Sequence, residues 1–228
     1  MRSKRRTGIL GGTFDPIHQG HLDVAVTATR VLGLTELLLM PAWQSPTRVP
    51  PRASAFHRFT MAGLASLDYA QVRVSDLEMR LGGTSYTSET LARLVSTGCD
   101  PLQLFFIAGA DAFAEIATWK DYPALLDRCH FAVVSRPGHA APELRQRLPD
   151  LAARMLRVTA EAGTSWMEPG RPAILIIDAV TTDVSSTDVR RRVASGEPLA
   201  GLVPHDVERY IHRHDLYRID TPAATLHD

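Results

Sequence analysis

Gly11-Gly12-Thr13-Phe14-Asp15-Pro16-Ile17-His18-Gln19-Gly20-His21 is the stretch whose reading decides the fold of this chain. It follows a short apolar segment, Thr7 to Leu10, and leads into a helical pattern beginning near Leu22. Strand, glycine-rich turn and helix start in that order form a place where backbone N–H groups and the helix dipole can hold a phosphate. His18 and His21 are separated only by Gln19 and Gly20, so both imidazoles can reach one side of the helix entrance. Two imidazoles beside such a pocket can donate hydrogen bonds to a triphosphate and to the charge that builds during its transfer.

Working outward, apolar runs alternate with helical periods along most of the length. Strands are expected at Thr7–Leu10, Glu36–Met40, Gln71–Val74, Leu102–Ala108, His130–Ser135 and Ala173–Asp178. Continuous apolar runs such as Leu104 to Ala108 and Ile174 to Ile177 are the mark of strands buried on both faces, as in a parallel sheet covered by helices. Helices are expected from Leu22 to Leu32 with Gly33 as the stop, from Ser54 to about Leu67, from Thr87 to Gly98, from Thr187 to Ser195 and from Pro204 to about His212. The pattern implies an α/β fold, a doubly wound parallel sheet with a small C-terminal helical part at 179–217. Ligands are then expected at the carboxyl ends of the strands. One domain over residues 1–220 accounts for the pattern, followed by a fraying tail at 221–228. Pro137 to Pro172, rich in Ala, Arg and Pro, reads as an insertion with weak helical patterns at Pro142–Leu148 and Leu151–Val158.

Composition narrows the classes. Of 228 residues 45% are hydrophobic and 22% charged, ordinary for a globular protein. The formal net charge is zero, which argues against a broad nucleic-acid footprint. No stretch approaches the length of a membrane span, and the basic run Arg2 to Arg6 lacks the apolar core of a signal peptide. Cys99 and Cys129 have no metal-binding or disulfide spacing, so a cytoplasmic protein is expected, with no protein metal site. His130, His139, His205, His212 and His214 are expected on surfaces or loops. An apolar face among the C-terminal helices could mediate homo-oligomer formation.

Three further groups carry chemistry. Val184-Ser185-Ser186-Thr187-Asp188-Val189-Arg190 places three hydroxyls and an arginine at a helix start, a second anion site or a plain helix cap. Two such starts at distant points of a doubly wound chain can close on one triphosphate. Phe106 to Asp111 ends a buried strand; Gly109 lets a nucleoside approach the backbone, and Asp111 suits a ribose hydroxyl or a helix cap equally. Trp119 offers an indole for stacking on a flat, cationic heterocycle or for the core, and Tyr86-Thr87 follows a glycine pair at Gly82-Gly83.

Taken together, the Gly-Gly-Thr-Phe-Asp-Pro-Ile-His-x-Gly-His string, Asp76-Leu77-Glu78, Ser85-Tyr86-Thr87, Gly109-Ala110-Asp111, Trp119, Arg136-Pro137-Gly138, Ser185-Ser186-Thr187 and the closing Leu202-Val203-Pro204…Val207…Tyr210-Ile211 resemble the bacterial nicotinate-nucleotide adenylyltransferases. That family belongs to the Rossmann-like nucleotidyltransferases with the His-x-Gly-His signature, and the likeness spans about Thr7 to Tyr217. The resemblance implies transfer of AMP from ATP to nicotinate mononucleotide, giving deamido-NAD and pyrophosphate, with magnesium carried on the ATP phosphates. It implies catalytic roles for His18, His21 and Arg190. ATP would be held by Gly11, Gly12, Thr13, Phe14, Gly109, Asp111, Ser185, Ser186 and Thr187 together with the catalytic three. The mononucleotide would meet Arg48, Tyr86, Thr87, Trp119, Lys120 and Arg136, with backbone amides near Thr87 and Lys120 facing its carboxylate.

One stretch departs from the family pattern. Ser45-Pro46-Thr47-Arg48 stands where a Pro-Pro-His-Lys-like run is usual; Arg48 keeps the charge and Thr47 loses a donor. A changed affinity is expected there rather than lost turnover. Three other readings stay open: the same reaction on the amide mononucleotide, another nucleotidyltransferase sharing the first motif, and a nucleotide-binding regulator without turnover.

Overall fold

The computed structural model describes residues 5–46, 49–135, 143–160 and 170–218. Among the described residues a seven-stranded, all-parallel sheet runs in the order β3-β2-β1-β4-β5-β7-β6. Its strands are β1 (Thr7–Gly12), β2 (Glu36–Pro41), β3 (Val72–Val74), β4 (Leu104–Gly109), β5 (His130–Val134), β6 (Met155–Val158) and β7 (Ile174–Ile177). Between and after them lie α1 (Gln19–Leu32), α2 (Ala55–Ala65), α3 (Leu77–Leu81), α4 (Thr87–Ser96), α5 (Ala110–Phe113), α6 (Leu144–Arg147), α7 (Ser186–Ser195) and α8 (His205–Arg213). This is the doubly wound α/β fold that the alternating pattern implies. From β1 the strand order runs to β2 and β3 on one side and to β4 and β5 on the other. The carboxyl ends of β1 and β4 therefore flank the crevice where such sheets bind ligands.

The alternation of strand side chains divides the core into two layers. Phe105, Ile107, Leu37 and Leu39 face a layer closed by Leu22, Ala25 and Val31 of α1, Met61 and Ala65 of α2, Val189 of α7, and Val207 and Ile211 of α8. Phe106, Ala108, Ile9 and Met40 face the opposite layer, closed by Leu91 of α4, Phe113 of α5 and Leu144 of α6. Every residue of β4, β5 and β7 is buried, which explains their unbroken apolar runs. Gly33 ends α1 at φ 59°, a left-handed stop that costs glycine little.

Several expectations need correction. Met155–Val158 is a strand, not the end of a helical turn; Leu148-side residues 149–154 form a 3-10 helix that leads into it. Its burial is mixed, Met155 and Val158 buried and Arg157 exposed, as suits an edge strand with no continuous apolar run. β4 begins two residues later than expected because Pro101–Gln103 forms a 3-10 turn capped by Asp100. His130 is buried rather than superficial: its ring stacks on Phe105 at 5.0 Å, and burial lowers its pKa. His205, His212 and His214 are exposed, and His139 lies outside the described residues. The apolar face of the C-terminal helices is spent inside the chain, since Val207, Ile211, Val189 and Val193 are all buried. Among the described residues no helix is long and apolar enough to cross a membrane.

Candidate active site

The histidine turn is fixed from within. His18 caps α1 with extended backbone, and its N–H donates to Nδ1 of His21 at 3.3 Å. A ring nitrogen that accepts carries no proton, which leaves the His21 N–H on Nε2. The two rings lie 3.7 Å apart between centroids, and Phe14 meets His21 edge-on at 5.0 Å. Gly20 has a packing reason: a Cβ there would stand 3.1 Å from the Thr182 carbonyl oxygen and 3.3 Å from the His18 ring. The glycine lets the segment before α7 lie directly against the helix entrance.

That segment is tied down by Asp23. The Thr182 N–H and hydroxyl both donate to Asp23 Oδ2, at 2.8 and 2.7 Å, and Gln19 Nε2 donates to Oδ1 at 3.0 Å. Burial pushes the Asp23 carboxyl up, but the Thr182 and Gln19 hydrogen bonds outweigh it and hold it below the ordinary value.

Asp15 is the centre of the turn. Its carboxylate is buried and accepts from the Arg52 N–H at 2.8 Å, the Ala53 N–H at 3.0 Å and the Tyr217 hydroxyl at 2.8 Å. Arg58, 1% exposed, supports the same turn by donating to the Thr13 carbonyl at 2.6 Å, the Trp43 carbonyl at 2.9 Å and the Ala53 carbonyl at 3.3 Å. Burial lowers the Arg58 pKa, countered by the nearby Asp15 charge. Three carbonyl acceptors satisfy a charge that would otherwise be costly to bury.

The start of α7 docks onto this turn. Ser186 donates to the Pro16 carbonyl at 2.9 Å, and Arg190 Nη1 donates to the Asp15 carbonyl at 2.6 Å. Arg190 Nη2 donates to the Thr187 hydroxyl at 3.1 Å, while Ser185 caps the helix by accepting from the Asp188 N–H. Gly11, Gly12, Thr13, Phe14, His18, His21, Ser185, Ser186, Thr187 and Arg190 are thus assembled around one turn at the end of β1.

A second group stands beside it. β1 and β4 pair with Leu10 opposite Ile107, a register that, carried two residues on, sets Gly109 level with Gly12. Gly109 ends β4 and caps the short α5, whose first turn holds Asp111. Phe106 of β4 covers Gly11, where a Cβ would meet the ring at 3.3 Å, and Trp119 meets Phe106 edge-on at 5.9 Å. Next to Trp119, the Lys120 ammonium lies 4.6 Å over the Tyr86 ring and pairs with Glu89 at 2.5 Å. Tyr86 precedes Thr87 at the start of α4, and the loop before them is pinned to the end of β2 by Ser85 N–H to Gln44 carbonyl at 2.8 Å. Arg48, Thr47 and Arg136 lie outside the described residues.

Sequence reasoning missed the supports. Asp15 stands within the Gly11–His21 turn, and nothing local in the sequence points from it to Tyr217. Arg58 did leave a signal: it shares its helix stripe with the buried Met61, Ala62 and Ala65, the i, i+3, i+4, i+7 pattern of a core-facing side. An arginine on that stripe has to find acceptors inside.

Comparison with known proteins adds descent to geometry. A family model described as Cytidylyltransferase-like matches residues 9–192. The "Probable nicotinate-nucleotide adenylyltransferase" of Moorella thermoacetica is 37% identical over 214 residues, covering 93% of this chain and 92% of that protein. A protein of the same name from Roseiflexus sp. is 38% identical over 214 residues, covering 92% and 97%. The solved structure of Plasmodium falciparum nicotinic acid mononucleotide adenylyltransferase complexed with NaAD has a TM-score of 0.69 at 14% identity, covering 93% of this chain and 97% of that one. At that identity the likeness is one of fold.

Proposed function

This chain belongs to the nicotinate-nucleotide adenylyltransferases, within the cytidylyltransferase-like family, and from that premise we propose that it moves AMP from ATP to nicotinate mononucleotide, releasing pyrophosphate and deamido-NAD. The observation that carries the reading is the docking of α7 on the β1–α1 turn, which sets Arg190 beside the turn that holds His18 and His21. The mononucleotide phosphate attacks the α-phosphorus in line; it is ionised at neutral pH and needs no general base. His21, with its proton on Nε2, is a donor for the charge that grows on the α- and β-phosphates, as are His18 and Arg190. Gly109 and Asp111 take the adenosine side, and Trp119 stacks on the pyridinium ring, with Tyr86, Thr87 and Lys120 around its carboxylate. Arg48 and Arg136 serve the mononucleotide in the same reading.

The nucleotide substrate is ATP with magnesium on its phosphates. The side chains at the turn suit a substrate-borne ion: the Asp15 and Asp23 oxygens are already engaged by protein donors. The work belongs to a cytoplasmic metabolic enzyme. The test is pyrophosphate release from ATP and magnesium with the acid and the amide mononucleotides in parallel. A strong preference for the acid is expected; equal rates would replace the acid-specific reading with a dual one, and silence with both would overturn it.

A further inference from the structure

We propose that Tyr217, which follows α8, is a positioning residue for adenylyl transfer that acts on Arg190 through Asp15. The inference rests on the reaction proposed above.

Tyr217 is 202 residues from Asp15 in sequence, yet its hydroxyl donates to Asp15 Oδ1 at 2.8 Å in a buried contact. Its ring belongs to the core layer of α1, α2, α7 and α8, and only 7% of the residue is exposed. The chain reaches this place by an abrupt turn after α8: Leu216 N–H closes on the Ile211 carbonyl, and Asp215 and Tyr217 both take positive φ, at 49° and 66°. Non-glycine residues in that region persist where surrounding contacts over-determine them. Burial, then the adjacent Asp15 carboxylate, raise the Tyr217 pKa, so its hydroxyl keeps the proton it donates.

What Tyr217 holds is the residue that places Arg190. One nitrogen of the Arg190 guanidinium, Nη1, is 2.6 Å from the Asp15 carbonyl oxygen and 3.8 Å from Asp15 Oδ2. The same carboxylate takes the Arg52 and Ala53 N–H groups, so it joins the turn, the entry to α2, α7 and the segment after α8. With the hydroxyl gone, Oδ1 keeps only the Ala53 N–H, so the carboxylate beside Arg190 loses a restraint and the turn whose Asp15 carbonyl accepts from Arg190 loosens. A catalytic donor misplaced by a fraction of an ångström loses transition-state stabilisation before it loses ground-state binding.

The experiment compares Tyr217→Phe with Tyr210→Phe. Tyr210 also lies in the C-terminal segment and its hydroxyl is bonded to His57 Nδ1 at 2.9 Å, away from Asp15. Tyr217→Phe should lower kcat by about 10-fold with both KM values within about twofold, while Tyr210→Phe stays near wild type. In an Arg190→Ala background the Tyr217→Phe loss should vanish, because both changes remove the same placement. Independently of turnover, amide hydrogen exchange over residues 13–18 should speed up in Tyr217→Phe and not in Tyr210→Phe. An unchanged kcat, a loss persisting in full beside Arg190→Ala, or unaltered exchange would each overturn the role. If wild type releases no pyrophosphate with either mononucleotide, the reaction itself falls, and the exchange comparison still decides whether Tyr217 holds the turn.

Discussion

The phosphate half of the site and the pyridine half are built to different standards. Around the β1–α1 turn the ties are multiple, and those at its centre are buried or partly buried: Arg58 on three carbonyls and Asp15 on three donors, with Asp23 adding bonds to Thr182 and Gln19 nearer the surface. Around Tyr86 and Trp119 they are fewer and open to solvent, the Lys120–Glu89 pair leaving 43% and 47% of those side chains exposed. Charge that develops in a transition state is best met by dipoles that need not move. A ring that must enter and leave is served by a softer surface. The difference suggests that damage to the first half should appear in stability and kcat, and damage to the second in affinity.

The sharpest way to break that contrast is Arg58→Met. Removing the guanidinium leaves three inward carbonyls without their donor, so unfolding should become easier by about 3–5 kcal/mol, measured by denaturant titration. A loss under 1 kcal/mol would show that the turn is held by packing alone. Next come His18→Ala and His21→Ala, each expected to lower kcat by ~100-fold while calorimetry finds mononucleotide binding largely intact. A near-wild-type rate in both would remove the histidines from the chemistry.

Asp23→Asn probes the tie between α1 and the segment before α7, at about 1 kcal/mol of stability. Its pH dependence has a defined sign. The Asp23 carboxyl titrates below its unfolded value of 3.8, so its contribution is complete above that pH and disappears as pH falls through the folded value. Wild type should therefore show a larger drop in Tm below pH 4 than the variant, and equal slopes would contradict the tie.

In the pyridine half, Trp119→Ala should raise the mononucleotide KM by roughly 10-fold with kcat held near wild type. Lys120→Ala should be the mildest change, leaving Tm almost unmoved at low salt and unmoved at high salt. A large loss of kcat in either variant would erase the division between the halves.

Much of this was legible in the chain. Continuous apolar runs gave β4, β5 and β7 because strands buried on both faces need no alternation, and Gly33 marked the end of α1 because few other residues tolerate positive φ. The His18–His21 turn and the Ser185–Arg190 start were visible as local patterns. β6 was not, since an edge strand of four residues after Ala152-Ala153-Arg154 carries a helical composition and no apolar run. Nor was the web around Asp15, because its partners at Arg52, Ala53, Arg190 and Tyr217 are neighbours only once the sheet has formed. His130 was misplaced for a related reason: its Nδ1 takes the Ala173 N–H just before the neighbouring strand β7, a partner no local window contains.

The most direct test of the account follows the label in ATP radiolabelled at the α-phosphorus, incubated with the protein, magnesium and nicotinate mononucleotide. Adenylyl transfer at the His18–His21 turn predicts that the label appears in deamido-NAD and that the pyrophosphate released is unlabelled. Label recovered as free AMP, or in pyrophosphate with no dinucleotide formed, would contradict it.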